Sequence, residues 1–179
     1  NAKGERLIDD TWPAGEVGDV PAALSKVVEF LRAEIGSLPI AVGHRVVHGG
    51  AQFAAPTIVT PEVMAALREL IPLAPLHQPY NLAAIDAVAQ SNPGVPQVAC
   101  FDTSFHRGQA AVAELVPLPL EIRRAGVQRY GFHGLSYEYI ASVLPQVAPD
   151  IATGRVIVAH LGSGASMCAL KNGKSVDHS

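Results

Sequence analysis

Between residues 21 and 35 the apolar positions Ala22, Leu24, Val27, Val28, Leu31 and Ile35 recur near helical spacing, with Lys26, Glu29, Arg32 and Glu34 between them. The pattern predicts an amphipathic helix that Pro21 opens and Gly36 closes. The period changes over residues 39–47, which are rich in Val and Ile, end before Gly49-Gly50 and read as a strand. Thr60-Pro61-Glu62 offers an N-cap threonine with proline at the first helical position, predicting a helix through Leu70. Residues 73–79 are irregular, Asn81 begins a helix through about Ala89, and residues 97–101 form a short buried strand. Residues 117–134 are turn-rich, and Ser136 is placed to cap a helix running to Val143. Strands over 156–159 and 166–170 flank a glycine turn, and Asn172-Gly173 is a hairpin signal that leads into a further strand. Strands alternating with helices argue an α/β fold.

At 179 residues and 49% hydrophobic, the chain can form one large domain or two small ones. The net charge of -3 and the absence of a dense block of cations argue against nucleic acid as a partner. Apolar runs are short or broken by proline, so no segment reads as a membrane span. The polar opening Asn1-Ala2-Lys3-Gly4-Glu5-Arg6 does not resemble a secretory signal. The two cysteines, Cys100 and Cys168, lie far apart without a CxxC pattern and are expected to be reduced and buried in a cytoplasmic protein. An opening asparagine and a short polar ending, Ser175-Val176-Asp177-His178-Ser179, give the expectation of a fragment.

Five short motifs carry candidate chemistry. The strand at 156–159 runs into His160-Leu161-Gly162-Ser163-Gly164-Ala165-Ser166, a turn whose exposed backbone suits phosphate as well as it suits a plain tight turn. Gly43-His44-Arg45-Val46-Val47-His48-Gly49-Gly50 places two histidines four apart, a spacing that admits zinc, although no HExxH glutamate accompanies them. On a strand Arg45 and Val47 share a face, so a cation sits beside a small apolar surface, matching a carboxylate with a short alkyl group. The alternative is an arginine paired with a surface carboxylate. Leu73-Ala74-Pro75-Leu76-His77-Gln78-Pro79 holds His77 between prolines, in a stiff loop that either positions it for a ligand or satisfies it locally. Asp102 ends a buried strand, where open α/β sheets bind ligands, and is equally placed to cap a helix. In Tyr130-Gly131-Phe132-His133-Gly134, glycines give the imidazole room to approach a ligand, or mark a turn.

Taken in order and spacing, Gly43-His44-Arg45-Val46-Val47-His48-Gly49-Gly50, Ala74-Pro75-Leu76-His77, Phe101-Asp102-Thr103, Tyr130-Gly131-Phe132-His133-Gly134 and His160-Leu161-Gly162 closely resemble the acetate kinase family. The resemblance runs from about Val42 onward. It implies transfer of the γ-phosphoryl group of ATP to acetate, giving acetyl phosphate and ADP, with Mg²⁺ as helper. The fold it implies is α/β, the ribonuclease H-like domain of the actin, Hsp70 and sugar kinase superfamily, followed by the start of a second such domain. Residues 1–103 would be most of the first domain, lacking its first strand and loop, and residues 104–179 the beginning of the second.

Motif by motif, Arg45 matches the arginine that holds the carboxylate and the transferring phosphoryl group, and Val47, Leu76 and Phe132 match the pocket for the methyl group. His77 lies in the corresponding substrate-side loop. Asp102 and His133 match catalytic residues, and His160, Leu161, Gly162, Ser163 and Gly164 match the phosphate loop for ATP. No metal ligand is assigned within the chain: the metal-binding asparagine would precede Asn1, and the metal-binding glutamate, the second arginine and the adenosine pocket would follow Ser179. A chain lacking them is expected not to turn over alone. The resemblance also implies a homodimer at full length. The sequence departs from the family pattern at Gln78 and Ser163, where asparagine is usual, at Leu135-Ser136-Tyr137, where threonine and a second histidine are common, and at His178, which replaces a threonine. Propionate or butyrate kinase, a non-catalytic nucleotide-binding sensor of the same superfamily, and a zinc hydrolase remain the alternatives.

Overall fold

A computed structural model describes residues 9–36 and 39–179. Two three-stranded sheets organise it. In the first, β1 (Val42–Val46) runs parallel to the central β3 (Gln97–Phe101), and the short β2 (Thr57–Ile58) pairs antiparallel on its other side. β1 is shorter than the apolar run that predicts it, because its pairing begins at Val42 opposite Gln97, where β3 itself begins.

Three helices accompany this sheet. α1 (Val20–Ile35) is capped by Asp19, whose carboxylate accepts from the Ala22 amide at 2.8 Å, and ends at Gly36 in the left-handed conformation. α2 (Pro61–Glu69) starts with Thr60 as its cap, as the sequence predicts. α3 (Gln78–Ser91) starts three residues before the expected Asn81, because Pro79 lies in its first turn, where a missing N–H leaves no bond unmade. Gln78 is fully buried and its amide donates to the carbonyls of His48 (3.1 Å) and Leu67 (3.3 Å), tying α3 to both neighbouring segments. Val46, Ala99 and Phe101 from the sheet pack with Met64 and Leu67 of α2 and Leu82 and Ile85 of α3 into one core.

After β3 the chain makes a 3₁₀ turn, Ser104–His106, and two short helices, α4 (Ala111–Glu114) and α5 (Leu120–Arg124). α6 (Gly134–Val147) and α7 (Pro149–Ala152) then lead into the antiparallel meander β4 (Arg155–Leu161), β5 (Ala165–Lys171) and β6 (Lys174–His178). The β5–β6 turn is the predicted Asn-Gly hairpin, with φ of 53° at Asn172 and 70° at Gly173. Tyr137 of α6, Cys168 and Leu170 form its buried core. Cys168 is buried as expected, whereas Cys100 is half-buried, and both thiols are free. Ser136 does not cap α6: the helix opens at Gly134, with His133 at the cap position, and the Ser136 hydroxyl pairs with His160 at 3.0 Å.

His106 joins the second sheet to the loop before α6. It is 3% exposed; its Nε2–H donates to the Phe132 carbonyl at 3.1 Å, and its Nδ1 accepts from the Ser175 hydroxyl at 2.9 Å. Ser175 in turn accepts from Gln109 (2.6 Å) and the Cys168 thiol (3.2 Å). Burial pushes the His106 pKa down to about 4, and burial likewise lowers His44, His48 and His178. An unfolded chain therefore takes up more protons than the folded one between the ordinary histidine pKa and the lowered one, so stability is complete above about pH 6.5 and falls as pH drops towards about 4. Each such group contributes a slope of at most about 1.4 kcal/mol per pH unit. Denaturant unfolding of the complete gene product at pH 7, 6, 5 and 4.5 is expected to show this decline, and His106→Gln to make it shallower; an equal slope in the variant removes His106 as its source.

Candidate active site

β1 and β3 are parallel and end side by side, and the ends of parallel strands are where open α/β sheets place their ligands. A cavity of about 490 Å³ lies there. Arg45 and Val47 reach it from the end of β1, and Asp102 from the residue after β3. His77 and Asn81 enter from the start of α3, and His133 from the start of α6. His160 and the turn Gly162-Ser163-Gly164 close it from β4.

The Arg45 guanidinium meets Asp102 in a fork, with Nη2 to Oδ2 at 2.7 Å and Nε to Oδ1 at 3.1 Å. Asp102 is 1% exposed and the Arg45 side chain 62%, so a buried anion holds a cation that still faces solvent. Hydrogen bonding to Asp102 raises the Arg45 pKa further above its already high value. The carboxylate occupies the Nε–Nη2 edge of the guanidinium, leaving the Nη1 edge for an incoming anion. Burial of Asp102 follows from backbone bonding on both sides: its N–H donates to the Val46 carbonyl at 3.0 Å, and its carbonyl accepts from Gly134 at 2.9 Å. It caps no helix.

Val47 is held by its neighbour in the cavity, its N–H donating to Asn81 Oδ1 at 2.9 Å. In the sequence Asn81 reads as a helix start only; its place one turn beyond His77 is the signal that it could face the same cavity. Val47 and Phe132 line a second, overlapping cavity of about 330 Å³ together with Leu73 and Ala74. Leu76, expected in this apolar wall, is instead 78% exposed and lines neither cavity, and Leu73 stands in its place. Leu161 is also outside: strand alternation turns it away from His160, and it is 80% exposed.

Of the three imidazoles lining the cavity, those of His77, His133 and His160, the last two are stacked, with centroids 4.1 Å apart and planes within 15°. Each is tied at Nδ1 by a serine from the opposite element: His133 by Ser166 of β5 at 2.8 Å, and His160 by Ser136 of α6 at 3.0 Å. Their Nε2 atoms lie against the glycine turn, since a Cβ on Gly164 would meet His133 Nε2 at 3.2 Å and one on Gly162 would meet His160 Nε2 at 3.5 Å. Burial lowers the His133 pKa, with His160 and Arg45 adding to the effect and Asp102 opposing it. His133 itself takes φ 58°, a left-handed conformation that is uncommon outside glycine and that aims its ring into the cavity.

His44 and His48 do not form the zinc pair that their spacing admits. His44 Nε2–H donates to Gln97 at 2.7 Å, and His48 Nδ1 accepts from the Gly50 amide at 2.8 Å. Among the described residues no group of three or more His, Cys, Asp or Glu side chains could hold a metal ion. The cavity thus offers one tethered guanidinium, the stacked imidazole pair with His77 as a third imidazole, and a glycine backbone facing a small apolar wall, an arrangement for a polyanion beside a short alkyl group.

Gly134 makes the arrangement possible, because a Cβ there would lie 2.1 Å from the Asp102 carbonyl oxygen. Gly134→Ala in the complete gene product is expected to lower unfolding free energy by about 3 kcal/mol or more, since backbone must shift to admit the methyl group. A loss below about 1 kcal/mol in a urea titration would show that the approach is not a constraint.

The chain matches the profile of the Acetokinase family over residues 11–179. It is 61% identical over 178 residues to the acetate kinase of Rhodopseudomonas palustris strain ATCC BAA-98 / CGA009, covering 98% of this chain and 44% of that protein. Among solved structures it resembles Porphyromonas gingivalis acetate kinase (TM-score 0.79, 38% identity, 89% of this chain and 42% of that one). It also resembles a propionate kinase from Francisella tularensis subsp. tularensis SCHU S4 (TM-score 0.80, 33% identity, 89% of this chain and 42% of that one). The chain spans less than half the length of these curated relatives.

Proposed function

From the premise that this chain belongs to the acetokinase family, we propose that its complete gene product transfers the γ-phosphoryl group of ATP to acetate, reversibly, giving acetyl phosphate and ADP. The observation that carries this reading is the single cavity that joins the Arg45–Asp102 fork, the stacked His133–His160 pair and the Gly162–Gly164 turn. An acetate oxygen attacks the γ-phosphorus, the new O–P bond forms as the bond to the β-phosphate oxygen breaks, and ADP leaves with that electron pair. Acetate is ionised at neutral pH, so no base is needed to remove a proton. Charge spread over the three equatorial oxygens calls for donors fixed in advance, which the Nη1 edge of Arg45 and the two stacked imidazoles supply. Asp102 acts through Arg45, holding its plane. In the glycine turn the Gly162 N–H donates to the Gly164 carbonyl at 3.2 Å, which leaves the N–H groups of Ser163, at its tip, and Gly164 to face the nucleotide phosphates.

Magnesium belongs to the same proposal, but the residues in hand do not fit it as ligands. Asp102 is the one carboxylate lining the cavity among the described residues, and both its oxygens are taken by Arg45. No step is therefore drawn through the metal. A division between residues 103 and 104 into two ribonuclease H-like domains is likewise proposed, supported by the absence of a shared strand between the two described sheets. A homodimeric assembly and a cytoplasmic location rest on the family resemblance. Among the described residues no helix is long and apolar enough to cross a membrane.

A second reading, propionate kinase, has its own support in the room around Val47 and Phe132 and in the likeness to a solved propionate kinase. Hydroxylamine trapping of acyl phosphate, with Mg-ATP and acetate, propionate or butyrate in parallel, separates the two. Product with acetate foremost supports the first reading, a preference for propionate supports the second, and no product from a folded, ATP-binding protein defeats both. Arg45→Ala is expected to lower kcat/KM by about 100- to 1000-fold. Val47→Ala, which removes two carbons from the pocket wall, is expected to move the ranking towards the longer acids by about tenfold or more, since each methylene accommodated changes selectivity by about tenfold or more.

A further inference from the structure

Tyr137 stands where the family resemblance leads one to expect a second histidine, and the reaction as described gives it no task. Its ring is fully buried in the core of the second sheet, and it packs against His106 on one side and His160 on the other. Its hydroxyl has one partner among the described residues, the Ser166 hydroxyl. Ser166 in turn meets Nδ1 of His133 at 2.8 Å. Three polar groups thus form a chain from the core to the cavity, and the placement of its protons follows from which groups can be left unpaired.

If Ser166 donated to the phenol oxygen, the Tyr137 proton would be buried without an acceptor, the costly case for a polar group. If Tyr137 and His133 both donated to Ser166, the serine proton would lack an acceptor among the described residues instead. One arrangement satisfies every donor: Tyr137 O–H donates to Ser166, Ser166 O–H donates to His133 Nδ1, and the remaining imidazole proton lies on Nε2. That nitrogen is the one beside Gly164 in the cavity. We propose that Tyr137 is a positioning residue which, through Ser166, fixes the His133 proton on Nε2, so that the ring meets the transferring group as a neutral hydrogen-bond donor. The proposal rests on the phosphoryl-transfer reading above for the identity of that group.

The sign of the interaction depends on this choice. With the proton on Nε2, His133 points an N–H at an anionic phosphoryl oxygen; with it on Nδ1, a lone pair faces the same oxygen and repels it. The lowered pKa of His133 keeps the ring neutral near pH 7, so the tautomer, and not the charge, decides which of these occurs. Arg45 and Asp102 face His133 from the β1–β3 side and His160 stacks on it, and none of the three reaches its Nδ1.

The test uses the complete gene product labelled with ¹⁵N-histidine, read by long-range ¹H–¹⁵N correlation, with His133 assigned by its loss in His133→Gln. The wild-type protein is expected to show the Nε2–H tautomer. Tyr137→Phe keeps the ring and removes the hydroxyl; it is expected to give mixed tautomers, a kcat about 10- to 100-fold lower, and a carboxylate KM within about threefold of wild type. Ser166→Ala is expected to do the same, and the double variant to be no worse than Ser166→Ala alone, because one relay is already broken. An Nδ1–H tautomer or an imidazolium in the wild-type protein overturns the proposal. So does a Tyr137→Phe protein with unchanged tautomer and kcat, or with additive losses in the double variant. Failure of the underlying reading looks different: the wild-type protein would then make no acyl phosphate whatever its tautomer.

Discussion

The site depends on one close approach, that of Gly134 to the carbonyl of Asp102. The Gly134 amide donates to that carbonyl at 2.9 Å, and no side chain fits between them. Through this contact the end of β3 is stitched to the start of α6. Asp102 and His133 come from separate sheets' neighbourhoods and from distant sequence, yet Asp102 is the acceptor of this hydrogen bond and His133 directly precedes its donor. Loosening that contact would let the guanidinium fork and the imidazole pair move apart, and a displacement of about 1 Å is enough to cost much of the advantage of fixed donors.

Around this stitch the elements hold one another crosswise. His133 comes from α6 and is tied by β5; His160 comes from β4 and is tied by α6. Because α6 and the meander each supply one ring and one serine, neither ring can reorient without releasing a bond to the other element. The phenol of Tyr137 and the imidazole of His106 extend the same logic inward, where low local dielectric strengthens a satisfied network and penalises a broken one. His106 fixes the Phe132 carbonyl immediately before His133, so the left-handed turn at His133 is held from behind as well as from the helix. A backbone conformation of that kind persists when its surroundings over-determine it.

Local signals made most of the elements legible in the sequence. Thr60-Pro61, Gly36 and Asn172-Gly173 act through bonds to their immediate neighbours, and each sits in the structure where its chemistry requires. Asp19 illustrates the limit, since an aspartate two residues before Pro21 was an available cap that the proline overshadowed. Ser136 failed as a cap because a residue distant in sequence, His160, claimed its hydroxyl, and no local pattern records such competition. The site residues were readable as motifs but not as a geometry: Arg45 and Asp102 are 57 positions apart, and their pairing depends on the parallel register of β1 and β3. Leu76 shows the converse, a residue in a matching motif that the turn before α3 leaves facing solvent, with Leu73 nearer the apolar wall.

The charge balance of the cavity follows from these placements. Arg45 and Asp102 cancel, and His133 is held neutral by burial and by its neighbours, so these three groups carry little net charge at pH 7. On the proposed function, such a cavity would hold phosphate through oriented donors more than through excess positive charge on these three groups. Oriented donors act over a few ångströms and are screened weakly by salt, whereas a field of excess charge reaches further and fades with ionic strength. For the proposed phosphoryl transfer, this arrangement would favour discrimination at the reacting centre over long-range capture, because a donor that is already aimed gains most when negative charge develops at the one point it faces. On the proposed reaction, the orientation of a single imidazole, and behind it one buried phenol, would carry weight out of proportion to its area.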